Sequence, residues 1–218
     1  KKINEIKKRK KIPILVGGTG LYFKTLIEGF VEIPSIPIKF RNKIRSIHKS
    51  IGQDKFYKKL LKLDPLIVNQ INSTDTQRSI RAYEVKLFTK KSITEWHKNT
   101  KSEFKQNDFL KLYIDYPRPE LIEKIHSRTR QMLDVGAILE VKKFLKLKIL
   151  KNKSATKAIG IAEIKEYIKN MIDKEELIEK ISIKTRQYAK RQATWARGHM
   201  TTWKKIKPKT LNNFLKKI

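Results

Sequence analysis

Cysteine is absent from the 218 residues, and the chain has no long hydrophobic run. Without thiols, disulfide bonds and thiolate metal sites are excluded. The histidines, His48, His97, His126 and His199, are too scattered to indicate a zinc cluster, so we interpret them as surface or packing residues. No segment has the length of a transmembrane helix, and the basic residues 1–11 are not followed by the apolar region of a signal peptide. These absences predict a cytoplasmic protein that does not span a membrane and has no metal site of its own.

Acidic residues are scarce: 21 Asp and Glu stand against 52 Lys and Arg, which gives a net charge of +31. So large a positive charge attracts polyanions, and nucleic acid is the leading candidate partner. A second interpretation also fits, because most of the excess is lysine spread along the whole chain, where asparagine and isoleucine are frequent too. An AT-rich coding sequence produces this composition, so the charge alone does not define a binding site.

Glycine is sparse, with eight residues, yet three of them lie in the short loop Gly17, Gly18, Thr19, Gly20. The apolar run at residues 12–16 predicts a buried parallel β-strand that ends at this loop. In α/β sheets, ligands bind at the carboxyl ends of strands, where backbone N–H groups and the Thr19 hydroxyl could hold a phosphate. A tight strand-to-helix turn without a ligand explains the local pattern equally well.

The pattern along the rest of the chain predicts an α/β core interrupted by helices. Residues 33–99 show helical spacing and no strand, so we predict that they form a helical insertion, whereas residues 1–32 and 100–218 form the core. A second strand is predicted at residues 109–116. The predicted helices cover residues 21–28, 40–50, 54–63, 76–89, 92–98, 120–135 with a continuation to 145, and 174–198.

One predicted helix carries two arginines on the same side. Arg78 and Arg81 are three residues apart with Gln77 beside them, so they could clamp phosphates or read a base edge. The alternative is a solvent-exposed face on which they pair with Glu84.

The segment at residues 188–197 interleaves basic and aromatic residues, with Lys190, Arg191 and Arg197 around Trp195. Guanidinium groups bind phosphates and an indole ring stacks on an unpaired base, so this pattern is typical of RNA-binding surfaces. A tryptophan on a helix is more often a core anchor. We therefore predict that Trp195 packs inside and that the arginines make the contacts.

Five motifs in a fixed order resemble the tRNA dimethylallyltransferases, enzymes that prenylate N6 of the adenosine beside the anticodon. The similarity extends over nearly the whole chain. The motifs are PILVGGTGLY at residues 13–22; LDP at residues 63–65 followed by Asp75, Gln77, Arg78, Arg81, Ala82, Glu84 and Val85 of a DxQRxxRAxEV helix; Arg128, Met132, Gly136, Glu140 and Val141; Ala158, Ile159 and Gly160; and KRQATWAR at residues 190–197.

The resemblance implies a P-loop-NTPase-like parallel-sheet core of the nucleotide-binding type, and transfer of a dimethylallyl group from dimethylallyl diphosphate to the adenosine. It implies Mg²⁺, which would neutralise the departing diphosphate. By resemblance, Thr19 lies at the reaction centre, Arg128 holds the pyrophosphate, and Gly17, Gly18 and Gly20 form the loop beside it. A monomer that binds the tRNA anticodon arm is expected. The residues implied to contact tRNA are Thr19, Arg41, Gln77, Arg78, Arg81, Lys190, Arg191, Gln192, Trp195 and Arg197.

Two departures from the family pattern bear on activity. Ile161 and Ala162 stand where the family has a tyrosine and a basic residue. The sequence contains no GxxxxGK[ST] P-loop and no Asp-Ser segment with the family's proposed general base, so we expect the chain to begin within a longer protein and to be inactive alone. The magnesium ligands are expected in that segment and in the diphosphate.

Two remaining aspartates are poor substitutes for the general base. Asp75 has the pattern of a helix cap, and Asp115 ends a predicted strand. Two alternatives to the enzyme therefore stay open, a non-catalytic RNA-binding fragment and the remnant of a decayed gene.

Overall fold

The computed structural model describes residues 1–98, 100–147, 149 and 154–217. They divide into two compact units, Lys1–Gly20 with Leu110–Ile218 as the first and Leu21–Phe109 as the second. The second unit covers the range of the predicted insertion, residues 33–99, and extends beyond it in both directions.

Helices form most of the structure, because apolar residues recur at spacings of three and four along most segments. The helices are α1 (Lys2–Lys8), α2 (Gly20–Glu28), α3 (Ile38–Leu63), α4 (Thr76–Thr89), α5 (Ile93–Lys98), α6 (Arg118–Met132), α7 (Ile138–Lys146), α8 (Ile161–Ile168), α9 (Lys174–His199) and α10 (Pro208–Leu215). The strands are β1 (Leu112–Ile114) and β2 (Lys204–Ile206).

A two-stranded parallel sheet lies in the first unit, with Leu112 opposite Lys204 and Ile114 opposite Ile206. The chain passes from β1 to β2 through α6, α7, α8 and α9, and parallel strands require such a long connection. The fold class is therefore α/β, as predicted, with a small sheet. The strand predicted at residues 109–116 is confirmed in a shorter form, whereas β2 was not predicted.

The strand predicted at residues 12–16 is wrong for this structure. These residues have no regular secondary structure, and Ile14 and Val16 are 80% and 92% exposed. A buried parallel strand needs neighbours whose backbone groups bond to its own, and β1 and β2 bond to each other instead. The glycine loop nevertheless leads into α2, which confirms the helix predicted at residues 21–28.

The core of the first unit lies among α7, α8 and α9. The long helix predicted at residues 174–198 is confirmed as α9, which begins where the Asp173 carboxylate accepts a hydrogen bond of 2.8 Å from the Glu176 N–H. The predicted interruption at Gly136 is also confirmed, since a π-helical turn at Leu133–Ala137 joins α6 to α7. The buried members of this core are Leu133, Val141, Ile164, Leu177, Ile178 and Ile181.

The second unit is built on the packing of α3 against α4. α3 is interrupted at Gly52, as the two separate helices predicted at residues 40–50 and 54–63 require. α4 begins at Thr76, and the Asp75 carboxylate accepts a hydrogen bond of 3.0 Å from the Arg78 N–H, which confirms Asp75 as a helix cap. The buried members of this core are Ile44, Phe56, Leu60, Ile67, Ile71, Ala82 and Tyr83.

Candidate functional site

In the first unit, the glycine loop lies directly against one face of α9. A Cβ atom on Gly18 would lie within 3.0 Å of the Gln192 side-chain amide, and one on Gly20 would lie within 3.0 Å of the Trp195 ring. A flexible glutamine can move away, but a packed indole cannot, so the position of Gly20 requires glycine. The structure thus brings together two predicted site segments, residues 17–20 and the middle of α9.

Thr19 lies in the same loop and its side chain is exposed. Its hydroxyl has no hydrogen-bond partner in the described part of the chain. Gly17 and Gly18 are exposed as well. The loop therefore offers a free hydroxyl beside an accessible backbone, which is an arrangement that can bind an anion.

Trp195 packs on two sides within the chain. Its ring is partly buried against Gly20, as predicted for an anchor, and it also stacks on the His199 ring with 4.3 Å between centroids and an interplanar angle of 5°. The His199 Nδ1 lies 3.0 Å from the Trp195 carbonyl oxygen. His199 was interpreted as a surface or packing residue, and here it extends an aromatic pair.

The basic residues of α9 are exposed, as predicted for contact residues. Arg191 lies over the Tyr188 ring at 5.6 Å, Arg197 donates a hydrogen bond of 3.3 Å to the Thr194 hydroxyl, and Lys190 is exposed. None of these contacts neutralises a positive charge. Three cations without an ion pair in the described part of the chain are thus exposed on α9: Arg191 precedes Trp195 by one helical turn, whereas Lys190 and Arg197, seven residues apart, share another side of the helix.

Arg197 is also close to the end of β1. Burial raises the pKa of the Tyr113 hydroxyl above its ordinary value, Asp115 raises it further, and Arg197 opposes the change. Sequence reasoning missed Tyr113, although its place in a predicted strand before Asp115 was the available signal. The Tyr113 phenol therefore feels the opposite charges of a carboxylate and a guanidinium.

Arg128 lies on α6, exposed and without an ion-pair partner among residues 1–98, 100–147, 149 and 154–217. Its neighbour Arg130 pairs instead with Glu175 of α9 at 2.7 Å. A cleft of about 440 Å³ lies between α6 and α9, and Arg130 lines it whereas Arg128 does not.

The Ala158, Ile159, Gly160 motif ends at a contact between α8 and α9, formed by Gly160, Glu163 and Lys184, which we call the joint between these helices. Gly160 has a φ of 104°, and its N–H donates a hydrogen bond of 2.9 Å to the Glu163 carboxylate, which also accepts one from Lys184. Burial by itself would raise the pKa of Glu163, but the hydrogen bonds from Lys184 and from backbone N–H groups hold this pKa below its ordinary value. The joint orients the helix that carries the basic residues.

In the second unit, Glu84 is buried and is surrounded by arginines from α3 and α4. Its carboxylate lies 3.3 Å from Arg41 Nε, 3.6 Å from Arg45 Nε and 3.7 Å from Arg81 Nη1. The alternative of pairing with Glu84 is confirmed for Arg81, but Glu84 is not part of a solvent-exposed face, because only 1% of its side chain is exposed. Sequence reasoning missed Arg45, which follows Arg41 by one helical turn.

Arg78 and Gln77 stand beside this group on the first turn of α4. The Arg78 guanidinium donates a hydrogen bond of 2.9 Å to the Asp75 carboxylate, so the helix cap also holds this arginine. Gln77 is exposed.

Across residues 1–98, 100–147, 149 and 154–217, no three His, Asp or Glu side chains are grouped so that they could hold a metal ion. No described helix is long and apolar enough to cross a membrane.

Comparison with known proteins places these features in a family. The family model described as IPP transferase matches residues 1–199. The tRNA dimethylallyltransferase of Pelagibacter ubique is 61% identical over 218 residues, and that of Rickettsia massiliae is 39% identical over 200 residues. A crystal structure of a eukaryotic dimethylallyltransferase acting on tRNA matches 89% of this chain with a TM-score of 0.71 and 31% identity.

These relatives are longer than the present chain. The chain spans 70% of the Pelagibacter protein, 55% of the Rickettsia protein and 50% of the eukaryotic chain.

Proposed function

The chain belongs to the IPP transferase family, and we propose that it acts in the transfer of a dimethylallyl group from dimethylallyl diphosphate to tRNA. The acceptor is N6 of the adenosine beside the anticodon. N6 attacks C1 of the dimethylallyl group, the bond from C1 to the diphosphate oxygen breaks, and the diphosphate leaves with the bonding electron pair. N6 then loses one proton.

The contact between the glycine loop and α9 is the observation that carries the proposal. Gly20 packs against Trp195, so that Thr19, with a free hydroxyl, lies next to α9, which carries Arg191 one helical turn before Trp195. A hydroxyl and a guanidinium on adjacent segments are groups that bind phosphate and RNA. The relatives are named for an activity that uses both.

Each site residue has a proposed role. Thr19 contacts substrate at the reaction centre, beside Gly17, Gly18 and Gly20, and Arg128 binds the diphosphate, for which an exposed guanidinium without an ion-pair partner among the described residues is suited. The proposed tRNA contacts are Arg41, Gln77, Arg78 and Arg81 in the second unit and Lys190, Arg191, Gln192, Trp195 and Arg197 in the first. We also propose a monomer that works in the cytoplasm.

The proposal assigns neither magnesium nor the acceptor of the N6 proton to a residue of these 218. The described residues group no three metal-binding side chains, and the sequence has no P-loop pattern. We therefore propose that the chain is inactive alone and active when joined to the part of its relatives that it does not match.

The test is transfer of labelled dimethylallyl diphosphate to unmodified tRNA. The 218-residue chain is assayed alone and fused to the unmatched part of the Pelagibacter protein, with Thr19→Ala as the variant and the exposed Thr201→Ala as its control. We expect the fusion to transfer the label and the unfused chain not to. In the fusion, Thr19→Ala should slow transfer at least about 100-fold if this hydroxyl acts on the transition state. Thr201→Ala should leave the rate unchanged.

Other outcomes would support the alternatives. A folded fusion that binds RNA without transferring the label would indicate a non-catalytic RNA-binding fragment. A chain without a cooperative melting transition would indicate the remnant of a decayed gene.

A further inference from the structure

Glu84 occupies a position that is unfavourable for a carboxylate. It lies on α4 between the buried core residues Tyr83 and Val85, and 1% of its side chain is exposed. Removing a charged group from water is costly, and apolar side chains of similar size commonly give equal or greater stability. Stability of the core is therefore a poor explanation for a glutamate here.

The contacts of Glu84 leave the Nη groups of two arginines free. Arg41 and Arg45 approach the carboxylate through Nε, and their terminal Nη groups have no hydrogen bond in the described part of the chain, whereas Arg81 approaches through Nη1. Arg41 donates a hydrogen bond to Glu84, and Arg45 and Arg81 form ion pairs with it. The side chains of Arg41, Arg45 and Arg81 are 37%, 48% and 41% exposed, so each guanidinium lies beside the buried carboxylate and remains partly open to solvent.

Glu84 and its three arginines together also carry a net positive charge at the surface. Three guanidinium charges meet one carboxylate charge, which leaves a surplus of two positive charges on an accessible surface. A structural ion pair would require one arginine. Several arginines with free Nη groups are suited to bidentate binding of phosphate oxygens.

We propose that Glu84 is a positioning residue that holds Arg41, Arg45 and Arg81 as one binding site for the phosphates of RNA, and that Arg45 is a phosphate contact of this site. The inference rests on the proposed function, because it takes RNA as the partner. Glu84 itself does not touch the RNA.

Two hypotheses predict opposite effects of Glu84→Gln on the affinity for RNA. The substitution removes a negative charge from a basic surface, so long-range electrostatics alone would tighten RNA binding. If Glu84 positions the arginines, the same variant binds an anticodon stem-loop RNA roughly threefold to tenfold more weakly, because the guanidinium groups lose their fixed geometry. Glu84→Asp, which keeps the charge, should recover part of the affinity.

The arginine contact is tested by Arg45→Gln against Lys43→Gln, which removes the same charge from an exposed residue of the same helix. We expect Arg45→Gln to lower affinity about tenfold and to reduce the slope of log affinity against log salt by about one, whereas Lys43→Gln changes either value little. Equal effects of the two variants would overturn the assignment of Arg45.

Melting curves accompany each binding measurement, so that loss of fold is not mistaken for loss of the site. If Glu84→Gln does not fold, weaker RNA binding by folded Glu84→Asp than by the wild type tests the positioning role, and the Arg45 and Lys43 pair still decides whether Arg45 is a phosphate contact, since Arg45 is half exposed and two arginines remain at Glu84. Tighter binding by folded Glu84→Gln would overturn the positioning role. Wild-type protein that binds no RNA would instead refute the proposed function.

Discussion

At the scale of single residues, Gly20 is a position of the candidate site that tolerates little change. A Cβ atom there would overlap the Trp195 ring, whereas a Cβ atom on Gly198 of α9 would meet no atom within 4 Å. Gly20 is therefore needed for the close approach of the loop to Trp195, whereas Gly198 is an ordinary glycine in a helix.

We expect Gly20→Ala to lower the free energy of unfolding by about 1–3 kcal/mol, because the loop or the indole must move. Gly198→Ala should raise it by roughly 0.5–1 kcal/mol, since alanine favours the helix. Urea unfolding of the two variants checks both values. Equal stability of Gly20→Ala and the wild type would show that the loop does not rest on α9.

The sequence indicated single candidate residues of the site, but not which of them contact one another in the folded chain. The glycines and Thr19 stand in a recognisable motif, and so do Gln192 and Trp195, yet no pattern in the sequence shows that Gly20 meets Trp195. An exposed face with Glu84 stayed open as an alternative because sequence spacing gives the side of a helix and not what packs on it.

At the scale of elements, the helices were predictable, whereas of the strands only β1 was. α9 and α4 carry apolar residues at helical spacing over several turns and begin at aspartate caps, so local signals agree with the fold. Strands depend on distant partners. Residues 204–206 form β2 with one apolar residue because β1 lies beside them, whereas the apolar residues 12–16 form no strand.

The joint between α8 and α9 gives the prediction that belongs to this scale. Glu163 is 4% exposed and Lys184 is 53% exposed, so we expect Glu163→Gln to lower the free energy of unfolding by about 1–3 kcal/mol, less than a fully buried pair would cost. The control Glu166→Gln breaks the exposed pair with Lys180 between the same two helices and should cost at most about 0.5 kcal/mol.

The loss in Glu163→Gln should depend on pH. The pKa of Glu163 is lower in the folded protein than its ordinary value of 4.5, so its stabilisation is complete above that value and disappears as the pH falls through the folded pKa. Urea unfolding at pH 7 and below pH 4.5 should therefore show a large difference between wild type and Glu163→Gln at the higher pH and a small one in acid. A difference independent of pH would contradict the ionised pair.

At the scale of the whole molecule, the charge of +31 has two explanations that the fold alone does not separate. Lysines spread by coding bias attract RNA wherever they lie, and a binding face attracts it at particular cations. Both produce affinity that falls steeply with salt, because phosphate binding releases counterions in either case.

Removing the same charge from two places separates these explanations. Lys190→Gln with Arg191→Gln, on exposed positions of α9, and Lys142→Gln with Lys143→Gln, on exposed positions of α7, each lower the net charge from +31 to +29. If α9 binds RNA, the first double variant reduces the slope of log affinity against log salt by about two and the second leaves it nearly unchanged. Titration of an anticodon stem-loop RNA at several salt concentrations measures both slopes. Equal slopes would assign the attraction to diffuse charge, because long-range attraction depends on the total charge and not on which lysines carry it.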